Sequence, residues 1–132
     1  MYFGTISNSE IKSDGTHDGI IIYYIPYING EEIILTITNN NIFNFKTAIK
    51  LITPGDPMFK YEENWIGIHN NNIYNNTDYN IMNEYYTDID ATNNYWGTAD
   101  EEEIQEKIYD YLDNDELRTV IYDPYMTSPI QF

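Results

Sequence analysis

The sequence predicts an all-β protein wound into stacked coils, and three observations predict it. A short phrase recurs as Ile6-Ser-Asn8-Ser-Glu-Ile11, Ile37-Thr-Asn39-Asn-Asn-Ile42 and Ile68-His-Asn70-Asn-Asn-Ile73, each 31 residues after the last. A fixed period with Ile in the same slots marks a repeat in which each unit buries its apolar side against the next. A looser copy, Ile89-Asp-Ala91-Thr-Asn-Asn94-Tyr95, begins 21 residues after Ile68. Fourteen Tyr and abundant Ile and Asn supply the β-formers and turn-formers that short strands with tight bends require.

Each element follows from that period. Side chains alternate faces along a strand, so Ile6, Ile37, Ile68 and Ile89 are expected to form one interior file. By the same alternation Asn8, Asn39 and Asn70 point inward beside it, with Ala91 closing the row, and an inward Asn requires a hydrogen-bonded amide ladder. After a bend, Ile11, Ile42 and Ile73 face inward again. A further strand per coil is read at Gly19–Ile22, Ala48–Leu51 and Asn80–Met82. The longer coils carry extra stretches at 26–32 and 54–64, rich in Pro and Gly, which read as projecting loops. A competing reading makes 20–37 a plain hairpin turning at Asn29-Gly30 in an antiparallel sandwich, and leaves the 31-residue period unaccounted for. The character changes after Tyr95: Thr98-Ala-Asp-Glu101 fits a capping box, and Ile104, Ile108, Tyr111 and Leu112 share a helical face. This predicts coils over 1–97 and a terminal cap over 98–132, with a helix at about 99–113 and a strand at about 119–122.

The run Ile89-Asp-Ala-Thr-Asn-Asn-Tyr-Trp96-Gly97-Thr98, the acidic helix ending Ile108-Tyr-Asp110, and Val120-Ile-Tyr-Asp-Pro124 together resemble the C-terminal end of parallel β-helix repeat proteins, the pectin lyase-like group including the NosD-like proteins. The resemblance implies a short single-stranded right-handed parallel β-helix of about four coils with a C-terminal capping helix and strand. It also implies a secreted or cell-surface setting, and in many family members an engagement with polysaccharide. The chain opens almost inside its first coil, without a recognisable N-terminal cap or signal peptide. Unpaired strand edges invite another chain, so the expected partners of the open first coil are a second copy or an N-terminal neighbour.

Composition narrows function further. A net charge of −16, from 22 acidic and 6 basic residues, opposes nucleic acid and anionic membrane surfaces, both of which need clustered Lys and Arg. Absence of Cys removes disulfides and thiolate chemistry. Outward aromatics offer flat faces for sugar rings, which makes Tyr27, Tyr61, Trp65 and Tyr74 the glycan-contact candidates, though packing between loops and coil also accounts for them. Asp110, Asp113 and Asp115 crowd the predicted helix end, where an Asp-x-Asp spacing suits calcium and where solvated carboxylates also serve as caps. Asn76-Thr-Asp78 echoes a polygalacturonase motif without the partner carboxylates that hydrolysis needs. His17 and His69 have no triad or ligand neighbours in sequence, and Trp96 reads as structural. The expected role is a non-catalytic β-helix module that is structural, self-assembling or glycan-contacting. The alternative is a fragment of a polysaccharide-active enzyme whose catalytic coils lie elsewhere.

Overall fold

In a computed structural model the chain is a parallel β-solenoid of about three turns, described over residues 2–23, 27–28, 31–52, 66–85 and 87–132. Each turn contributes one strand to each of three sheets. The first turn is β1 (Tyr2–Ser7), β2 (Glu10–Lys12) and β3 (Ile20–Tyr23). After β4 (Tyr27–Ile28), the second is β5 (Glu31–Thr38), β6 (Asn41–Phe43) and β7 (Thr47–Ile52), and the third is β8 (Ile66–His69), β9 (Asn72–Tyr74) and β10 (Tyr79–Glu84). A closing segment adds β11 (Ile89–Asp90), α1 (Glu101–Glu106), β12 (Ile108–Tyr109) and β13 (Val120–Ile121).

Between coils every strand pairing is parallel. The first sheet runs β1-β5-β8-β11-β13, the second β2-β6-β9 and the third β3-β7-β10-β12. The antiparallel sandwich is thereby excluded. Its local premise survives at one corner, where β4 pairs antiparallel with the start of β5, Tyr27 opposite Glu32. The expected loop at 54–64 lies outside the described residues.

Pairing of Ile6 with Ile37 and of Ile37 with Ile68 puts three of the predicted isoleucines in one file. The fourth place is Ala91, not Ile89. Asp90 pairs with Gly67, so Ile89 stands over Ile66 and Ala91 over Ile68, a step of 23 residues rather than 21. Further inward files are Ile11-Ile42-Ile73 and Ile20-Ile49-Ile81-Ile108. Ile37, Ile42, Ile49, Ile68, Ile73 and Ile81 are wholly buried, and each such side chain contributes about 1.5–3 kcal/mol of transfer free energy.

The amide ladder is offset by one residue from the expected row. Asn8, Asn39 and Asn70 do not point into the core: they adopt positive φ (53°, 58° and 58°), as does Asn93 at 62°. They make the bend itself, a left-handed conformation that Asn tolerates better than other side-chain-bearing residues. The next residue in each coil, Asn40, Asn71 and Asn94, is the buried one, at 0% exposure. Ser9 N donates to Asn40 Oδ1, Asn40 N to Asn71 Oδ1 and Asn71 N to Asn94 Oδ1, at 3.0, 3.0 and 2.9 Å. Each Nδ2 donates to a carbonyl of the coil before it: Asn40 to Ile6, Asn71 to Ile37 and Asn94 to Ile68. One side chain thus satisfies backbone groups that the bend removes from the sheets, which is why a buried amide is tolerated there.

The closing segment also departs from expectation. Helix α1 is N-capped by Asp100, whose side chain accepts from Glu102 N, and not by Thr98. It ends at Glu106 rather than near residue 113, because Ile108 and Tyr109 leave the helix to pair with Ile81 and Met82. The strand near 119–122 is observed as β13, which pairs with β11 and extends the first sheet.

The ladder and the bend make opposite demands on neighbouring asparagines. Asn71→Ala is expected to cost about 3 kcal/mol or more in urea unfolding, because several buried polar groups lose partners at once. Asn70→Gly, at the exposed left-handed position, is expected to stay within about 1 kcal/mol of the parent.

Candidate functional site

The second sheet has strands of only three residues, so each presents one inward Ile between two outward side chains. Outward columns therefore run up its surface: Glu10, Asn41 and Asn72 in one, Lys12, Phe43 and Tyr74 in the next. Phe43 and Tyr74 stack, with ring centroids 5.1 Å apart and planes 11° from parallel. In the first column Asn72 Nδ2 donates to Asn41 Oδ1 at 2.8 Å. The C-terminal tail lies against the same amide: Ile130 N donates to Asn72 Oδ1 and Ile130 O accepts from Asn72 Nδ2.

Tyr95 bridges to Asn72 and continues the first column, which brings Gly97 over Tyr74 in the second. Gly97 has φ of +87°, and a Cβ there would meet Tyr74 Cβ at 3.0 Å. Only glycine combines that backbone with that approach. Because Gly97 has no side chain, the aromatic column stops at Tyr74. A cleft of about 360 Å³ opens there between Tyr74, Tyr95, Asn41, Asn72, Asn75 and Pro129. Asn75 and Gly97 also line an adjoining cleft of about 460 Å³, whose other walls include Trp96, Glu103, Glu106 and Lys107. Lys107 Nζ is held there by the carbonyls of Asn76 and Thr77, both at 3.0 Å. The arrangement offers an aromatic edge and amide groups to a polar ring, the composition that suits weak carbohydrate contact.

Of the four aromatic candidates only Tyr74 can be placed at this site. Tyr27 contributes backbone to β4, its side chain lying outside the description, and Tyr61 and Trp65 fall outside the described residues. Tyr95 and Gly97 are members that the sequence does not announce, while alternation already turns Phe43 outward beneath Tyr74. Phe43 was marked by its place 31 residues before Tyr74, whereas Gly97 carried no signal beyond its neighbours.

Two of the calcium candidates, Asp110 and Asp113, accept hydrogen bonds from backbone N–H groups. Asp110 is buried, accepting from Val120 N at 2.8 Å and Leu112 N at 3.2 Å, and Asp113 Oδ2 accepts from Asp110 N. Asp115 is exposed, and among the described residues no three His, Asp or Glu side chains converge as a metal site. Asn76, the first residue of the Asn-Thr-Asp motif, is a buried structural amide: its Oδ1 accepts from Phe45 N and its Nδ2 donates to Asn80, while Asp78 is exposed. His69 faces the outside of the first sheet, with Nδ1 2.9 Å from Thr92 O and Nε2 3.5 Å from Asp90 Oδ2. Trp96 lies in the core at 2% exposure.

No protein-family model, curated protein or solved structure matches the chain.

Burial pushes the Asp110 carboxyl above the ordinary Asp range, against two backbone donors and with the nearby charges of Asp113 and Asp88 adding to the rise. A raised folded value means the native state holds the proton more tightly than the unfolded chain does. Stability is therefore lost as pH climbs from the unfolded value, near 3.8, through the higher folded one. Asp110→Asn does not titrate, so its stability relative to the parent is expected to rise with pH through that window. Urea unfolding of both proteins between acid and neutral pH checks the sign.

Proposed function

We propose that this chain is a non-catalytic β-solenoid module that contacts a neutral glycan through the cleft beside Tyr74. The observation that carries the reading is the interruption of the Phe43–Tyr74 stack at Gly97, next to the amides of Asn41 and Asn75. A pyranose face is apolar and its rim is hydroxylated, so it matches an aromatic surface bordered by amides. The net charge of −16 favours neutral over acidic polysaccharide. The parallel β-solenoid, with the resemblance of residues 89–125 to pectin lyase-like proteins, supports a surface or secreted setting.

Titration calorimetry with soluble neutral polysaccharides, and with polygalacturonate as the acidic comparison, tests the reading. Binding of a neutral polymer is expected to weaken by up to about tenfold in Tyr74→Ala, the size of one aromatic stacking contact. Affinity unaffected by that substitution, or preference for the acidic polymer, contradicts it. Release of shorter chains on incubation favours the alternative, a fragment of a polysaccharide-active enzyme.

A further inference from the structure

The N-terminal face of the solenoid differs from every internal coil boundary. Ile6, Ile11, Ile20 and Ile22 are only partly buried, while their counterparts one coil on, Ile37, Ile42, Ile49 and Leu51, are at 0% exposure. Phe3 at 74%, Tyr23 at 55% and Ile21 at 44% exposure stand in the same coil. In the first sheet Ile89 N and Ala91 N donate to the next coil, at Thr119 O and Ile121 O. By the two-residue alternation, Gly4 and Ile6 bond to β5, and Phe3 and Thr5 turn their N–H and C=O groups to the open edge. Six residues long, β1 is an exposed edge of the kind that recruits another strand.

We infer that this face binds a second copy of the chain about a two-fold axis, β1 pairing antiparallel with its twin. Two features favour that occupant over a further coil stacked in register. The amide ladder stops here: the residue aligned with Asn40 is Ser9, whose hydroxyl donates to Ser7 O and cannot reach across a coil boundary as an amide does. Charge points the same way. Residues 2–23 hold three acids, Glu10, Asp14 and Asp18, against Lys12, whereas 100–116 hold nine acids against Lys107. Apposed N-terminal faces bring together the least repulsive ends of a chain whose net charge is −16. A two-fold axis perpendicular to both the coil axis and β1 reverses strand direction, so β1 meets its twin antiparallel, and the contact is closed rather than polymeric.

Sedimentation equilibrium of the full chain over a wide concentration range tests this, with three variants. Thr5→Pro removes an open-edge N–H while sparing the bonds to β5, and Phe3→Glu puts like charges at the junction. Ile121→Lys alters an exposed residue of β13, at the opposite end of the first sheet. The expected result is a monomer–dimer equilibrium weakened about tenfold or more by each of the first two, since symmetry counts every loss twice, and unchanged by the third. Phe3→Glu touches no buried contact and keeps the test open if Thr5→Pro folds poorly. A monomer at all concentrations overturns the inference. So does a dimer indifferent to Phe3→Glu, or a larger assembly that Ile121→Lys disrupts.

Discussion

A buried bend between two short strands strips backbone N–H and C=O groups of their sheet partners, and this chain answers that constraint with a side-chain amide at the same place in successive coils. Asn40, Asn71 and Asn94 each accept from the coil before through Oδ1 and donate back to it through Nδ2. An unpaired buried backbone group costs about 1–3 kcal/mol, so the coil cannot turn so tightly without such an acceptor. The ladder also sets register. An amide reaches only the coils directly next to it, so one slipped residue would unmake every bond in the row. The isoleucine files follow from that register and supply the bulk of the apolar burial.

The bends work as pairs. A left-handed asparagine turns the chain, and its successor fills the interior, so the second sheet begins with its alternation reset. That reset directs Phe43 and Tyr74 outward while Ile42 and Ile73 go inward, and so places an aromatic column on the surface. Gly97 occurs where the closing segment leaves this sheet, and its missing side chain converts the end of the column into a cleft. The candidate site is thus a consequence of how the solenoid ends, more than of any one reactive residue.

Much of the fold was legible because Ile recurs at a spacing that only stacked coils reward. The errors have specific physical origins. In Asn39-Asn40-Asn41 and Asn70-Asn71-Asn72 three identical residues occupy bend, ladder and the outward column of the second sheet in turn, and composition cannot say which is which. Strict alternation assigned the ladder to Asn39 and Asn70, and it failed because positive φ breaks alternation at the bend. Matching Ile89 to Ile68 misjudged the last coil, where small Ala91 takes the Ile68 file, and Asn93-Asn94 held the better alignment. Ile104 and Ile108 satisfy a helical period, yet Ile108 also satisfies the third sheet, and pairing with Ile81 prevails. Tyr74 was legible from alternation, whereas the cleft beside it needed the Asn72–Tyr95 bridge, a contact no local pattern announces.

The most direct test of the account is a methyl-resolved nuclear Overhauser spectrum of Ile- and Ala-labelled protein. Stacked parallel coils in this register predict cross-peaks joining Ile37 to Ile68, Ile42 to Ile73, Ile66 to Ile89 and Ile68 to Ala91. A spectrum lacking these contacts, or one joining the same strands in antiparallel order, would contradict the solenoid and everything placed upon it.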